Sequence, residues 1–274
     1  MKDCNITLIG CGNMSRSLIG GLINDGVKKE HLLATDPDAK QRLDITAQFG
    51  VTTLESNEKA VENADIIILA VKPQVMQQVV SGLAIVLKNS SKMLISIAAG
   101  VRLTSFTKWL DTPIAVIRVM PNTPALIQSG ATALFANEHA SDIQKNNTEA
   151  IMRSVGTITW LDSEDLMDAV TALSGSGPAY FFYFMESMEK SARAMGLSNE
   201  DASLLTIETA LGAAKMASLS HYDLSELRKQ VTSPGGTTEQ AIIKFQQGDL
   251  GQLVHEAMSA AKQRAIELSQ RFGE

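Results

Sequence analysis

Up to about residue 160, short apolar runs alternate with longer amphipathic stretches along the chain. Several runs consist almost entirely of Ile, Val, Leu and Ala, which is typical of parallel strands covered by helices on both faces. The pattern therefore predicts a doubly wound α/β domain. The predicted strands are 5–10, 32–36, 65–71, 93–98, 114–119, 131–136 and 157–161, and the clearest predicted helices between them are 15–25, 39–49, 73–87 and 142–155.

Beyond Asp162 the strand pattern ends and only helical periodicity continues. The predicted domains are therefore an α/β domain over residues 1–162 and an all-helical domain over residues 163–274. The predicted helices of the second domain are 164–173, 178–195, 199–218, 223–230, 235–247 and 250–271.

The helical domain carries a large amount of apolar surface for its size. Its helix from Pro178 contains AYFFYFMESM, which is apolar on more than one face, and residues 204–219 are rich in alanine and other small residues. A helix that is apolar most of the way round is normally buried. Because no sheet lies behind these helices, we expect a homodimer; a self-contained helical bundle is the alternative.

A glycine-rich turn follows the first predicted strand, in the sequence GCGNMSRSLIGGL. Gly10 and Gly12 have the spacing of a dinucleotide-binding fingerprint, but Ser15 stands where a third glycine or alanine is usual. The first glycine permits a tight turn, and the second lets a pyrophosphate approach the start of the helix. With a strand before it and a helix after it, the turn predicts a Rossmann-like dinucleotide site; a tight turn without a ligand is the alternative.

Asp36 ends the second predicted strand, 26 residues after Gly10. An acid at this place can accept hydrogen bonds from an adenosine ribose and repel a 2′-phosphate, which favours NADH. Lys40 and Arg42 follow closely and could neutralise such a phosphate, so the sequence is compatible with NADPH or NADH. The alternative for Asp36 is that it caps the helix after Pro37.

Three further segments end predicted strands at the edge of the sheet where ligands bind in open α/β folds. They are AVKP at 70–73, ISIAAGV at 95–101 and RVMPNTP at 118–124, and the last contains Asn122, whose side chain both donates and accepts. Each could be a simple connection between strand and helix. Together they predict a shared cleft.

A second glycine-rich turn, TSPGGTTEQA at 232–241, precedes a predicted helix in the other domain. Such a turn can leave backbone amides free to bind an anion. The alternative is a Pro-Gly-Gly connection between two helices.

Composition and charge narrow the class of protein. With 274 residues, 45% of them hydrophobic, the chain can bury roughly 75% of its unfolded surface. The net charge of −6 disfavours nucleic acid as a partner. No apolar run approaches the roughly 18 residues of a membrane helix, and no leader pattern is visible, so we expect a cytoplasmic protein. Cys4 and Cys11 are expected to be reduced packing residues.

The chain lacks the sequence signs of several catalytic mechanisms. Its four histidines are scattered, and HExxH, GxSxG and clusters of Cys and His are absent from the sequence. No metal site is expected. The remaining chemistry is hydride transfer, in which the cofactor performs the difficult step and the protein positions the substrate.

The segments GCGNM, AVKP, SIAAGV, MPNTPA, LSGSGPAY and SPGGTT occur in this order along the chain. These segments, in this order, make the sequence resemble pyrroline-5-carboxylate reductases over essentially its whole length. The resemblance implies reduction of the cyclic imine 1-pyrroline-5-carboxylate to L-proline with NADPH or NADH, the last step of proline biosynthesis. It also implies a nucleotide-binding domain joined to a helical dimerisation domain, with further assembly of dimers into rings (decamers) in many members.

The resemblance also implies roles for individual residues. Substrate binding falls on Ser233, Gly235, Gly236, Thr237 and Thr238, with Thr238 facing the ring nitrogen and Glu164 as a second catalytic residue. Two positions depart from the family: Asp36 stands where members favouring NADPH usually have small or basic residues, and Gln230 stands where some members have Asn. Cofactor binding falls on Ile9, Gly10, Cys11, Gly12, Asn13, Met14, Asp36, Asn57, Ala70, Val71, Lys72, Pro73, Ser96, Ile97, Ala98 and Asn122.

The resemblance also implies a specific ligand for the second glycine turn, namely the carboxylate of the substrate. Hydrogen bonds to a charged acceptor contribute about 1.5 to 3 kcal/mol each, so two or three amides would orient the ring without an arginine. A cyclic imine is basic enough to be protonated by solvent or through a hydroxyl, which explains the missing histidine; the sequence does not identify the proton donor.

The sequence gives less support to two competing functions. A β-hydroxyacid or 6-phosphogluconate type dehydrogenase needs a lysine on the helix after its own glycine motif, and here Lys190 comes about three turns too late. A non-catalytic nucleotide sensor would be expected to have lost the SPGGTT loop, which is intact.

Overall fold

The computed structural model describes residues 3–273, and its centre is one sheet. The strands are β1 (Ile6–Ile9), β2 (Leu32–Thr35), β3 (Thr52–Leu54), β4 (Ile66–Leu69), β5 (Met93–Ser96), β6 (Ala115–Met120), β7 (Gly130–Ala136) and β8 (Gly156–Trp160). They lie in the order β3-β2-β1-β4-β5-β6-β7-β8. Neighbouring strands are parallel except β6 and β7, which are antiparallel. The prediction of a doubly wound α/β domain is confirmed.

All seven predicted strands are present, and the eighth, β3, was missed. It has three residues, TTL, none of them fully buried, so neither its length nor its apolar content separates it from a loop. β3 is the edge strand beside β2, and it extends the sheet on the side of the glycine turn.

Helices cover the sheet, with two departures from the predicted pattern. The predicted helix over 73–87 is interrupted at Leu83, and the predicted helix over 164–173 starts as a 3₁₀ turn (Glu164–Leu166) and ends as a π-helical turn (Thr171–Gly175). The helices are α1 (Asn13–Asn24), α2 (Ala39–Phe49), α3 (Asn57–Val61), α4 (Pro73–Gly82), α5 (Ala84–Leu87), α6 (Leu103–Leu110), α7 (Asp142–Arg153) and α8 (Met167–Val170).

The core lies on both faces of the sheet, as the continuous apolar strands predict. Along β4, Ile66 and Ile68 belong to one cluster of buried side chains, and Ile67 and Leu69 belong to the other. Because side chains alternate between faces along a strand, a run of four apolar residues is what a strand covered on both sides requires.

Two compact units divide the described chain. One comprises residues 3–176 with 261–273, and the other comprises Gly177–Ala260. The predicted boundary after Asp162 was drawn where the periodicity changes and stays a prediction. The remaining helices are α9 (Gly177–Ala194), α10 (Asn199–Leu219), α11 (Leu224–Gln230), α12 (Thr237–Gln247) and α13 (Leu250–Gly273).

The unit formed by Gly177–Ala260 has an exposed apolar surface. On α9, Phe181, Phe182 and Tyr183 are between 64% and 71% exposed, and on α10 Leu204 and Leu205 are also exposed. Aromatic side chains in such number are normally covered in a functional protein. Among residues 3–273, no helix combines the length and the apolar character needed to cross a membrane.

Tight packing of α1 against the end of α7 yields a testable prediction. A Cβ at Gly21 would lie 2.7 Å from the Ser154 carbonyl oxygen and 2.9 Å from the Val155 Cγ1 atom. We expect Gly21→Ala to lower the free energy of unfolding by about 1 to 3 kcal/mol in denaturant titrations, through overpacking. Gly82→Ala is the matched control: its Cβ would meet its nearest neighbour, Glu58 Oε1, at an ordinary 3.5 Å. Equal stability of the two variants would contradict the packing argument.

Candidate active site

The first glycine turn joins β1 to α1 through a close backbone contact. Gly10 has a φ of +102°, and a Cβ there would lie 2.6 Å from the Ala70 carbonyl oxygen, so no other residue fits without strain. Gly12 is the N-cap of α1, and a Cβ there would have no neighbour within 4 Å. No side chain caps α1. Its first-turn amides are therefore available to a phosphate.

Ser15, which stands in the place of a third glycine, is buried inside this turn. Its hydroxyl donates to the Gly10 carbonyl oxygen at 2.6 Å. The serine therefore closes the turn from within and leaves the outer side of the turn open. The departure from the glycine pattern is compatible with a dinucleotide.

Asp36 fixes the glycine turn from the end of β2. Its Oδ2 atom accepts from the Cys11 amide at 2.8 Å, and its Oδ1 atom accepts from the Asp38 amide at 2.9 Å. The alternative that Asp36 caps the following helix is wrong: Asp38 is the N-cap of α2 and accepts from the Lys40 amide. Asp36 instead presents its carboxylate at the edge of the sheet, beside the turn.

Cys11 is a buried, free thiol in the middle of this turn. Burial raises the pKa of the Cys11 thiol to about 11, and the negative charge of Asp36 acts in the same direction. The thiol therefore stays protonated at neutral pH, as expected of a packing residue.

Asn57 is held at the same edge by β2. The Thr35 hydroxyl donates to Asn57 Oδ1 at 2.7 Å, while Ser56 caps α3 by accepting from the Lys59 amide. The amide nitrogen of Asn57 is thereby oriented by a partner that the sequence did not indicate.

The segments after β4 and β5 lie next to the turn in the sheet. The Ala70 amide donates to the Ile9 carbonyl at 2.8 Å, and the Ile97 amide donates to the Leu69 carbonyl at 3.2 Å. Lys72 is the N-cap of α4, and Pro73 is its first residue. The structure therefore brings the predicted cofactor residues of β1, β2, β4 and β5 to one rim, which runs through the carboxyl ends of these strands.

Three observations show that this rim fits a dinucleotide. The Gly12 position is open, α1 begins without a side-chain cap, and the Ser96 hydroxyl is buried without a hydrogen-bond partner among the described residues. A buried hydroxyl without a partner is unusual and marks a place where a polar ligand group can bind.

Asn122 has a role within the protein itself. Its Nδ2 atom donates to the carbonyl oxygen and the hydroxyl of Ser174, both at 3.2 Å, and its Oδ1 atom accepts from the Ala131 amide at 2.9 Å. The side chain therefore ties the loop after β6 to β7 and to the LSGSGP segment. Cofactor binding by Asn122 stays a prediction.

Glu164 belongs to a buried ion pair. Its Oε1 atom accepts from Arg118 Nη1 at 2.9 Å and from the Leu103 amide at 2.9 Å. Arg118 lies on β6 and is 3% exposed, and the neighbouring pair of Arg102 and Asp165 is solvent-exposed. Sequence reasoning missed Arg118, although an arginine inside the apolar run AVIRVM signals a buried acidic partner.

The second glycine turn lies in the unit Gly177–Ala260, where it starts α12. Gly235 has a φ of +75°, and Gly236 is an N-cap without a side-chain hydrogen bond. Here the structure differs from the prediction of free amides at these glycines: the Gly235 amide donates to Glu239 Oε2 at 2.8 Å, and the Gly236 amide donates to the Ser233 carbonyl at 3.0 Å. The donors without intrahelical partners are those of the first helical turn, beginning with Thr237.

The hydroxyls around this turn complete the set of donors. Ser233, Thr237 and Thr238 have no side-chain hydrogen bonds to the part of the chain that the structure describes, and all three are exposed. Amides and hydroxyls that converge at a helix start suit one carboxylate. Within residues 3–273, no group of three His, Cys, Asp or Glu side chains is arranged to hold a metal ion.

A doubly wound sheet with a glycine turn between β1 and α1 defines a Rossmann-like dinucleotide-binding protein, and the family matches make it an oxidoreductase. The family described as "NADP oxidoreductase coenzyme F420-dependent" matches residues 5–100, and the family described as "Pyrroline-5-carboxylate reductase dimerisation" matches residues 164–268.

The chain belongs to the pyrroline-5-carboxylate reductase family. It is 47% identical to the pyrroline-5-carboxylate reductase of Pseudomonas aeruginosa over 274 residues, which cover 100% of both chains. The solved reductase of Coxiella burnetii superposes with a TM-score of 0.92 at 44% identity, covering 97% of this chain and 98% of that one. The Plasmodium falciparum enzyme, solved with NADP bound, superposes with a TM-score of 0.88 at 30% identity, covering 98% and 99%.

The reaction predicted from the resemblance is confirmed. The chain is an NAD(P)H-dependent oxidoreductase that reduces the C=N bond of 1-pyrroline-5-carboxylate to give L-proline. Family membership also removes the β-hydroxyacid type dehydrogenase as an alternative.

The open space at Gly12 gives a second prediction. Its backbone, with φ of −74° and ψ of −175°, suits any residue, so Gly12→Ala should cost only about 0.5 to 1 kcal/mol, as a poorer N-cap. The added methyl group would occupy the approach of the pyrophosphate, and we expect nucleotide affinity to fall at least about tenfold in fluorescence titrations. Gly10→Ala, by contrast, should lose stability as well. Unchanged nucleotide affinity in Gly12→Ala would show that no phosphate approaches this turn.

Proposed function

We propose that the first turn of α12 receives the carboxylate of 1-pyrroline-5-carboxylate. The observation that supports this most directly is an uncapped helix start at Gly236, followed by Thr237 and Thr238 with amides and hydroxyls uncommitted within the described chain. The substrate has one permanent negative charge, and charge-assisted hydrogen bonds from two or three such donors orient it. Gly235 and Gly236 shape the turn, and Ser233 adds a hydroxyl.

The dinucleotide is assigned to the rim of the sheet. The turn from Ile9 to Met14 and the start of α1 hold the pyrophosphate, Asp36 and Asn57 lie on the adenosine side, and the segments at 70–73 and 96–98 continue the rim. Bound there as NADPH or NADH, the cofactor supplies the hydride. The protein positions the substrate ring and the dinucleotide for the transfer.

Thr238 is assigned to the ring nitrogen. Its hydroxyl both donates and accepts, so it can orient the nitrogen and pass a proton from solvent to it. An imine nitrogen is basic enough that no strong general acid is needed. The scattered histidines are consistent with this role for a hydroxyl.

Glu164 is assigned a positioning role in place of the catalytic role predicted for it. Its Oε1 atom is engaged by Arg118 and by the amide at the start of α6, and its side chain is 14% exposed. These contacts hold the loop that leaves β5 after Ser96. Glu164 therefore acts on the cofactor rim through that loop.

A homodimer, and rings of such dimers, are the proposed assembly. Support comes from the exposed aromatic side chains of α9 and from the match of residues 164–268 to a dimerisation family. Residues 1–162 form the dinucleotide-binding domain in this proposal, and residues 163–274 form the dimerisation and substrate domain. The proposed location is the cytoplasm.

Thr238→Ala tests the substrate site. We expect turnover to fall about tenfold or more through lost alignment, measured as loss of NADH or NADPH absorbance with and without 1-pyrroline-5-carboxylate. Thr238→Ser should recover most of the activity because it keeps the hydroxyl. Thr232→Ala is a control in the same loop: its hydroxyl donates to the Arg228 carbonyl, and its loss should leave turnover near that of the parent. Parent-like kinetics in Thr238→Ala would remove Thr238 from the mechanism.

Glu164→Gln separates positioning from acid catalysis. Glutamine keeps an oxygen that can accept from Leu103 and Arg118 but removes the charge that pairs with Arg118. We therefore expect the loop to be held less firmly, with a raised KM for the dinucleotide and an unchanged pH profile of kcat/KM. Glu164→Ala should be destabilised by about 3 to 5 kcal/mol, because Arg118 would be left buried and unpaired. If Glu164→Gln lost one limb of the pH profile of kcat/KM, Glu164 would instead be an acid or base catalyst.

A further inference from the structure

The carboxylate of Asp36 is fixed in place at the adenosine end of the rim. It bridges two backbone amides, those of Cys11 in the glycine turn and Asp38 at the start of α2. Each carboxylate oxygen has two lone pairs, so each can still accept a hydroxyl donor. Moving this group away would break two charge-assisted hydrogen bonds and loosen the turn.

The nearest cationic side chains are committed to other partners. Arg42 Nη1 donates to the carbonyl oxygens of Asp36 at 2.6 Å and Pro37 at 3.0 Å, and its Nη2 atom lies 3.8 Å from the Glu55 carboxylate. Arg16 donates to Gln41 at 2.9 Å and to Asp44 at 3.3 Å. An additional phosphate here would have to draw a guanidinium away from these acceptors.

The surface beyond β3 adds no net positive charge. An open cavity of about 530 Å³ lies there, lined by Leu54, Glu55, Ser56 and Lys59. Besides Arg16 and Arg42, the cations in the segments that form this side are Lys40, which is exposed, and Lys59. Residues 36–59 carry five acids, Asp36, Asp38, Asp44, Glu55 and Glu58, which outnumber these four cations, so the region offers no excess of positive charge to a phosphate.

We infer that Asp36 sets the cofactor preference of this chain, in favour of NADH over NADPH. Its carboxylate accepts from the ribose hydroxyls of NADH, whereas the 2′-phosphate of NADPH would bring about two further negative charges beside it. We expect NADH to bind about tenfold or more tightly than NADPH. The inference rests on the proposed assignment of the dinucleotide to the rim.

Binding measured without substrate tests the inference. NADH and NADPH are titrated separately into the purified chain by nucleotide fluorescence, and into Asp36→Ser and Asp36→Asn, whose melting temperatures report folding. We expect both variants to reduce or reverse the preference, mainly through tighter binding of NADPH. Asp65→Asn is the matched control: it removes the same charge at the opposite edge of the sheet, where Asp65 accepts from the Asn5 amide, and should keep the preference.

The outcomes separate this inference from the proposed function. Equal or tighter binding of NADPH by the parent chain, or a preference unaltered in the folded Asp36 variants, overturns the role of Asp36. Reductase activity with 1-pyrroline-5-carboxylate would still be present in that case. A chain that binds neither nucleotide and oxidises neither with the imine would overturn the proposed function as well.

Discussion

The contact between the ends of β1 and β4 is the constraint on which the cofactor rim depends. The Ala70 amide bonds to the Ile9 carbonyl, and the Ala70 carbonyl lies so close to Gly10 that no side chain fits there. The chain can therefore leave β1 only through a glycine with a positive φ. This exit lets α1 begin at the carboxyl edge of the sheet, where α/β folds bind ligands, and pack its buried residues Leu18, Ile19 and Leu22 into the core on one face of the sheet.

The two glycine turns, in different units of the chain, have the same arrangement of donors at the start of a helix. In the proposed function each turn binds an anionic group, and a protein with a net charge of −6 does so with local donors instead of a basic surface. At α1 the turn is braced by Asp36 and Ser15, and at α12 it is braced by Glu239 and by the Ser233 carbonyl. In both, bracing contacts engage amides that precede the helix, those of Cys11 at α1 and of Gly235 and Gly236 at α12. The first helical turn is thereby left for the proposed ligand.

Local features of the site could be predicted from the sequence, and contacts between distant residues could not. The apolar runs predicted seven strands because each is long enough to show its pattern, whereas the three residues of β3 are not. The glycine spacing located the turn, but the sequence did not show which of Asp36 and Asp38 caps α2; in the structure Asp38 does, by accepting from the Lys40 amide. Likewise, Glu164 and Arg118 are 46 residues apart, one in the 3₁₀ turn after β8 and the other on β6, so only the folded chain shows that they pair.

The largely buried ion pair of Glu164 and Arg118 contributes both to the stability of the fold and to the shape of the site. Burying two charges seldom stabilises a protein more than a well-packed apolar pair would. Here the carboxylate of Glu164 also accepts the first amide of α6, so one side chain fixes both the end of the loop after β5 and the position of β6. An apolar pair could fill the same volume but could not accept that amide. In the proposed function, the ion pair therefore orients the loop that follows the rim segment at 96–98, which an apolar pair would not do.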